Sequence, residues 1–357
     1  MGRGADNVRL AMNQSIPSKR VFTRGLLAFG LGFGLNWAHG EPASVPSVPG
    51  DGGQSPERGV AEWLARMHDA ARLRSYVGTF VLTVNNGGMS SARIWHASEG
   101  DVQVERVELL TGAPRSVFRR NEQVVTFLPE SRVVRTERRE SLGIFTNLIK
   151  SSASSIPDYY LARRLGTDRV AGFEAEVVQL VPKDNLRWGY RIWSEKKSGL
   201  VVKLQTLDTD GGVLEQSAFS ELVLDAPVRT DSLIRMMSAT EGWRVERAEV
   251  VKTTAEAEGW QLKSVPAGFK PVSCYRRPIM GAPTPEGTMQ WIFSDGLAAV
   301  SLFVEQFDGR RHGQETLFAT GATDTLTHRI HDWWLTAVGE VPPRTLRAFA
   351  QGLERRK

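Results

Sequence analysis

Few side chains in this sequence stand at spacings that do chemistry. His328-Arg-Ile-His331 is the one close histidine pair. Two imidazoles at that spacing share a metal only on a helix and with further ligands, and the Thr-rich neighbourhood reads as strand, so no metal or cofactor is expected. The carboxylates are many but scattered, and no general acid/base pair stands out. A phosphate-binding glycine loop, a dinucleotide turn, a nucleophile elbow and a zinc-protease helix are all missing from the sequence. The single cysteine, Cys274, cannot staple the fold, and its Val-Ser-Cys-Tyr setting suits a buried, inert thiol. These features favour a binding protein over an enzyme. A hydrolase reading would rest on His328 and His331 alone.

Two other groupings carry more. Arg119, Arg120, Arg132, Arg135, Arg138 and Arg139 crowd a short stretch with Glu122, Glu130, Glu137 and Glu140 interleaved. They form either solvated strand edges or a cationic rim, with Arg119, Arg120, Arg135, Arg138 and Arg139 meeting phosphorylated lipid heads or an acidic partner, since guanidinium pairs phosphate in a bidentate fashion. The second grouping is apolar. Phe80, Leu82 and Val84 point one way, Val125 and Phe127 are expected to join them, and Ile192 and Leu204 do the same from the second half. Residue by residue this is a filled core. Collectively, a large curved sheet has more concave area than one short helix can fill, and barrels of that size commonly hold an apolar ligand. An acyl chain leaving water for such a hollow gains roughly 0.8 kcal/mol per CH2.

The elements that must position these side chains are mostly strands. Residues 57–73 repeat Val60, Leu64, Met67 and Ala71 at helical spacing. Alternating runs follow at 76–84, 93–97, 102–110, 117–119, 124–128 and 132–136, joined by links too short for parallel crossovers. Leu142, Phe145 and Leu148 form an apolar cluster that could cover the hollow, and 158–165 reads as a short helix. Strands resume at 175–181, 188–194, 200–207 and 213–224. Around ten strands imply one strongly curved antiparallel sheet over 57–225. Residues 226–256 read as an interdomain connection with partial structure. A smaller α+β domain follows at 257–357, with strands at 260–264, 269–275, 288–293, 298–306, 316–321, 325–330 and 332–338, and a helix opened by Pro342-Pro343.

The chain has 357 residues, 41% hydrophobic and 24% charged, which is ordinary globular composition for two domains. The net charge of +5 misleads, because residues 1–40 hold five basic side chains and one acidic one. The remainder carries 40 basic and 39 acidic groups, so nucleic acid is not expected as a partner. Lys19, Arg20 and Arg24 precede an uncharged run over 25–37, then Ala38-His-Gly40. That order is a secretory signal peptide at 1–40, with 1–11 as an extension ahead of Met12. A single membrane anchor is the other reading. Residues 41–56 form a Pro/Ser/Gly-rich lead-in.

Several separated segments resemble the RseB/MucB family of periplasmic regulators of the sigma-E (AlgU) envelope-stress response. They are 63–80, Tyr159-Tyr-Leu-Ala-Arg-Arg-Leu-Gly-Thr-Asp-Arg-Val-Ala-Gly172, Tyr190-Arg-Ile-Trp193 with Ser198-Gly-Leu200, Gly259-Trp-Gln-Leu-Lys-Ser-Val-Pro-Ala-Gly-Phe269, Ser294-Asp-Gly296 and Val338-Gly-Glu-Val-Pro-Pro343. The resemblance implies a mainly β fold with an α+β part: a large unclosed antiparallel β-barrel of the LolA/LppX kind plus a small C-terminal domain. It implies a periplasmic protein that binds the periplasmic domain of a membrane-spanning anti-sigma factor (RseA/MucA-like) and shields it from site-1 proteolysis. Lipopolysaccharide or lipoprotein acyl chains in the barrel would release it. For the protein partner, Ser294, Asp295, Gly296, Phe303 and Glu305 are the candidates, with the interdomain cleft; plain hairpin-turn chemistry is the competing reading of Ser294-Asp-Gly296. A homodimer stays open. The alternative function is a lipoprotein or lipid carrier of the LolA kind, for which the small domain would be superfluous.

Overall fold

The computed structural model describes residues 60–138, 156–247, 250–278 and 287–356. The helices are α1 (Val60–Leu73), α2 (Ile156–Tyr159), α3 (Thr230–Ser238) and α4 (Pro343–Gly352). The first strands are β1 (Tyr76–Val84), β2 (Met89–Glu99), β3 (Val102–Leu109), β4 (Ser116–Arg120), β5 (Gln123–Leu128) and β6 (Val133–Arg138). Then come β7 (Tyr160–Val170), β8 (Phe173–Pro182), β9 (Gly189–Glu195), β10 (Val201–Leu207), β11 (Val213–Leu224) and β12 (Arg244–Arg247). The second domain adds β13 (Val251–Lys252), β14 (Trp260–Leu262), β15 (Lys270–Pro278), β16 (Gly287–Ser294), β17 (Ala299–Gln306), β18 (Leu317–Thr320), β19 (Thr323–Ile330), β20 (Trp333–Gly339) and β21 (Leu353–Arg355).

The large sheet has twelve strands in the order β12-β6-β5-β4-β3-β2-β1-β11-β10-β9-β8-β7. β1 and β11 pair at its centre, and two antiparallel meanders run outward from them. Only β12 pairs in parallel, against β6. Bulges interrupt β1 against β11 after Thr79, β9 against β10, and β7 against β8 at Arg164/Gly166. Each bulge bends its strand, and the sheet curls until β7 touches β11 across three intervening strands. It does not close. The unclosed, mainly β fold with a small α+β domain is the one expected.

α1 covers the inner face because Trp63, Leu64, Met67, Ala70 and Ala71 lie on one helical stripe and are buried together. α3 covers part of the outer face, where Leu233 meets Ala97 and Val104, and Met237 meets Phe118 and Phe127. The segment expected as a connection therefore contributes both a helix and a strand to the large domain. The expected helix at 158–165 is a correction. One helical turn ends at Tyr159, and Tyr160–Val170 is an edge strand. Its backbone completes the ladder on β8 from Tyr160 to Val170, and that long pairing outweighs a weak local helix preference.

The small sheet runs β13-β15-β16-β17-β20-β19-β18. α4 packs Leu346, Phe349 and Ala350 against Phe293, Val300, Leu302 and Leu335. Among the described residues no helix is long and apolar enough to cross a membrane. The signal-like segment, Leu142, Phe145, Leu148 and Arg139 lie outside the described residues, as does the side chain of Arg138.

Candidate functional site: the inner face and the seam between domains

Cross-strand partners share a face of a sheet, so the register assigns each side chain to the inner or the outer face. Phe80 stands opposite Ala92, and Ala92 opposite Leu109. In the other direction Phe80 pairs with Phe219, Leu82 with Ser217, Ser217 with Leu204, and Leu204 with Ile192. Phe80, Leu82, Val84, Ile192 and Leu204 therefore line one surface together with Tyr190, Leu180 and Tyr160. At its base the surface is filled: Phe80 is 2% exposed and Ile192 0%, under α1. Leu82, Val84 and Leu204 are only half-buried.

Val125 and Phe127 do not join them. Following the pairs from Leu109 through β3, Glu105 stands opposite Arg119 and Arg119 opposite Val124, which puts Val124 on the inner face and Val125 and Phe127 on the outer. There Phe127 meets Phe118 and Trp243 edge-on at 5.5 and 5.2 Å. Alternation says that Val125 and Phe127 share a face; which face depends on the register across four strands.

The arginines also part company. Arg119 is buried on the inner face, 3.5 Å from Glu105, and Arg135 donates to Glu246 at 2.9 Å. Arg120 follows Arg119 on the same strand, so it emerges on the other face, exposed. These three do not form one rim. Beside the Glu105–Arg119 pair, His96 stacks on Tyr76 at 5.0 Å and its Nδ1 lies 2.8 Å from the carbonyl of Arg74. Burial holds the imidazole below its ordinary pKa.

Ser294-Asp295-Gly296 joins the two domains instead of facing outward. Asp295 Oδ1 accepts from the N–H groups of Leu297 and Ala298 at 2.9 and 2.8 Å, which closes the turn. Oδ2 accepts from Arg187 Nη1 at 2.7 Å and from the Tyr160 hydroxyl at 3.1 Å, both in the large domain. The Arg187 side chain is 0% exposed. Its other donors reach both oxygens of Asp184 and the carbonyl of Ala267, and its guanidinium lies 4.4 Å from the centre of the Tyr159 ring. Gly268 sits at φ +86°, and a Cβ there would come 2.9 Å from the Tyr159 ring and 3.0 Å from Arg187, so the close approach requires glycine. Leu297, next in the turn, enters the large domain's core.

A second junction lies at the β18–β19 turn. Trp188 Nε1 donates to the carbonyl of Ala322 at 3.0 Å. A Cβ on Gly321 would fall 2.6 Å from both Val84 and Glu215, so this turn presses on the inner face. Burial, with Glu340 nearby, raises the Glu215 carboxyl to about 7. Desolvation shifts the Glu340 carboxyl upward as well. Thr345 Oγ1 completes the seam by donating to the carbonyl of Leu186 at 2.6 Å.

The remaining candidates have internal partners. Glu305 is buried and accepts from Arg311 at 2.6 Å, with His312 Nε2 at 3.1 Å. Phe303, on the same strand, is half-buried. His328 pairs with Glu315 at 3.1 Å, and among the described residues no group could hold a metal. Burial raises the Cys274 thiol to about 12. Arg187, Trp188 and Thr345 carry the seam; nothing in the sequence marks Arg187 or Thr345, and strand phase gives Trp188 only as one of the apolar residues facing inward. One signal was present: Tyr159, Tyr160, Ala267, Gly268 and Asp295 come from three of the separated segments that carried the family resemblance, and all converge here.

A family model described as the MucB/RseB N-terminal domain matches residues 59–237, and one described as the MucB/RseB C-terminal domain matches 254–354. The chain belongs to the MucB/RseB family. It is 29% identical over 304 residues to the sigma factor AlgU regulatory protein MucB of Pseudomonas aeruginosa, covering 82% of this chain and 89% of that one. To the sigma-E factor regulatory protein RseB of Escherichia coli it is 25% identical over 293 residues, again 82% and 89%. A crystal structure of MucB in complex with MucA(peri) matches with a TM-score of 0.63 and 26% identity, covering 84% of this chain and all of that one. The Pseudomonas aeruginosa MucA/MucB complex matches at 0.64 and 27%, over 83% of this chain and 99% of the other. These MucB/RseB relatives are regulators of sigma factors, and the N-terminal match runs into α3, in keeping with that helix's place on the large sheet.

Proposed function

We propose that this chain is an exported, periplasmic regulator and not an enzyme. It binds the periplasmic region of a membrane-spanning anti-sigma factor, protects it from site-1 proteolysis, and lets it go when lipopolysaccharide or lipoprotein acyl chains occupy the large domain's inner face. The regulatory relatives and the solved MucB complex with MucA(peri) support the partner. The observation that carries the coupling is that the small domain completes the inner core. Leu297 is inserted among the large domain's apolar side chains, and the turn at Gly321 rests on Val84 and Glu215. An acyl chain lying along Leu82, Val84 and Leu204 competes with those contacts, so lipid and domain closure are linked. A carrier of the LolA kind needs the curled sheet alone, whereas here the second domain is built into it.

Linkage makes the effect reciprocal: lipid weakens the partner by the factor by which the partner weakens lipid. The test is titration calorimetry of the full chain with the periplasmic fragment of its cognate anti-sigma factor, with and without lipid A. Fragment binding that weakens at least fivefold with lipid A is expected. An affinity unchanged by saturating lipid A would overturn the switch, and no complex at micromolar concentration would overturn the partner.

A further inference from the structure

One edge of the small domain is left open. β18 is the outermost strand of its sheet, and among the described residues no strand pairs with its outer side. The N–H of Thr327 donates to the carbonyl of Thr316 at 2.9 Å. Hydrogen-bonded pairs alternate with non-bonded ones in an antiparallel ladder, so Leu317 and Ala319 direct their N–H and C=O groups outward. Leu317 and Phe318 are 36% and 45% exposed. Beside the strand, next to α4, lies an open groove of about 250 Å³ lined by Leu317, Leu326 and Ala350, with His328 and Arg347 among its polar residues.

Its lining carries one carboxylate, Glu315, and one guanidinium, Arg347. Glu315 is already engaged, accepting from the backbone N–H of Arg329 at 2.8 Å and facing His328. Arg347 is exposed and has no ion-pair partner among the described residues; Asp324 feels its charge but is buried on β19. α4 contributes Arg344 and Arg347 and no acidic residue. An unpaired edge, an apolar floor and an exposed guanidinium together suit an extended peptide that adds a strand, places one side chain in the groove and meets the guanidinium with a carboxylate.

We propose that β18 and the groove beside α4 receive an extended, acidic–apolar segment of the anti-sigma partner as an added strand. This rests on the regulatory reading above and deepens it. The hairpin that offers the edge is the one whose turn is anchored on the inner face through Trp188 and Glu215. A ligand that dislodges the turn thus moves the strand on which the partner is paired.

The experiment uses the full chain and the purified periplasmic region of its cognate anti-sigma factor. Ala319→Pro removes an outward donor while leaving the β18–β19 ladder its own bonds, and at least a tenfold loss of affinity is expected. Arg347→Gln, at an exposed position, loses at least fivefold with its fold checked by circular dichroism, and Arg347→Lys retains most of the binding. Hydrogen exchange of the wild-type complex slows at the amides of Leu317 and Ala319. If Ala319→Pro fails to fold, Arg347→Gln and the exchange data decide. Wild-type affinity in the folded variants, or unchanged exchange at those two amides, overturns the proposal while the regulatory reading stands. If the wild type binds no fragment, both fall. If β18 proves to be a dimer contact that Ala319→Pro abolishes with fragment affinity unchanged, the edge belongs to a second copy of this chain and the proposal fails.

Discussion

At the Asp295 turn the small domain's carboxylate is fully engaged: both oxygens accept two hydrogen bonds each, and the arginine that meets them is fully enclosed. At β18 the same domain has an edge that no strand pairs among the described residues, and two large apolar side chains partly in water. The first arrangement is costly to open because a buried charge without its partner is heavily penalised. The second is cheap to cover because its backbone groups already exchange bonds with water. A protein that must hold two domains together yet remain available to a partner benefits from both.

The largest expected effect comes from breaking the closed side. Arg187→Met leaves Asp184 and Asp295 facing each other's surroundings without their cation, and removing one member of a buried pair costs about 3–5 kcal/mol. Urea unfolding measures it. Adding Asp295→Asn should cost less than the sum of the two single losses; strict additivity would mean that the two residues do not act as a unit.

Next is the acid at the other junction. The Glu215 carboxyl rises from 4.5 to about 7 in the folded protein, by burial first and by Glu340 second. The folded state thus binds the proton more tightly than the unfolded state does. The seam is strongest below about pH 4.5 and loses stability as pH rises towards 7, by roughly 2–3 kcal/mol in all. Glu215→Gln should reduce that slope in a series of melts, leaving the part due to Glu340 and Asp324, which burial shifts the same way; a slope unchanged by the substitution would assign it to those groups. The smallest effect is expected at the open edge: Phe318→Thr should change global stability by no more than about 0.5 kcal/mol. A loss well beyond that would show that β18 supports the fold and is not merely available.

Much of the element pattern was legible. The run expected as 76–84 is β1, and 213–224 is β11, because alternation of apolar residues bounded by turn signals is a local property. The adjacent Arg119 and Arg120 also carried their own warning, since neighbours on a strand point to opposite faces. β7 was not legible: eight of its eleven residues are exposed, seven of them in an unbroken run, so no inward periodicity marks it. The candidate site was read in halves. The grouping of Phe80, Leu82, Val84, Ile192 and Leu204 on one face follows from strand phase and from the register, whereas Val125 and Phe127 required the register alone.

By itself the sequence determined most of the strands, β7 excepted, and the inner stripe that α1 covers, through periodicity and turn chemistry that act over a few residues; its separated motifs carried the family. Only the tertiary structure decided that a turn resembling a surface hairpin is the junction between domains. The bond from Arg187 to Asp295 spans 108 positions, and no local pattern encodes which distant carboxylate a buried guanidinium will find. The unpaired edge of β18 is likewise a property of strand order, which exists only once the sheet has assembled.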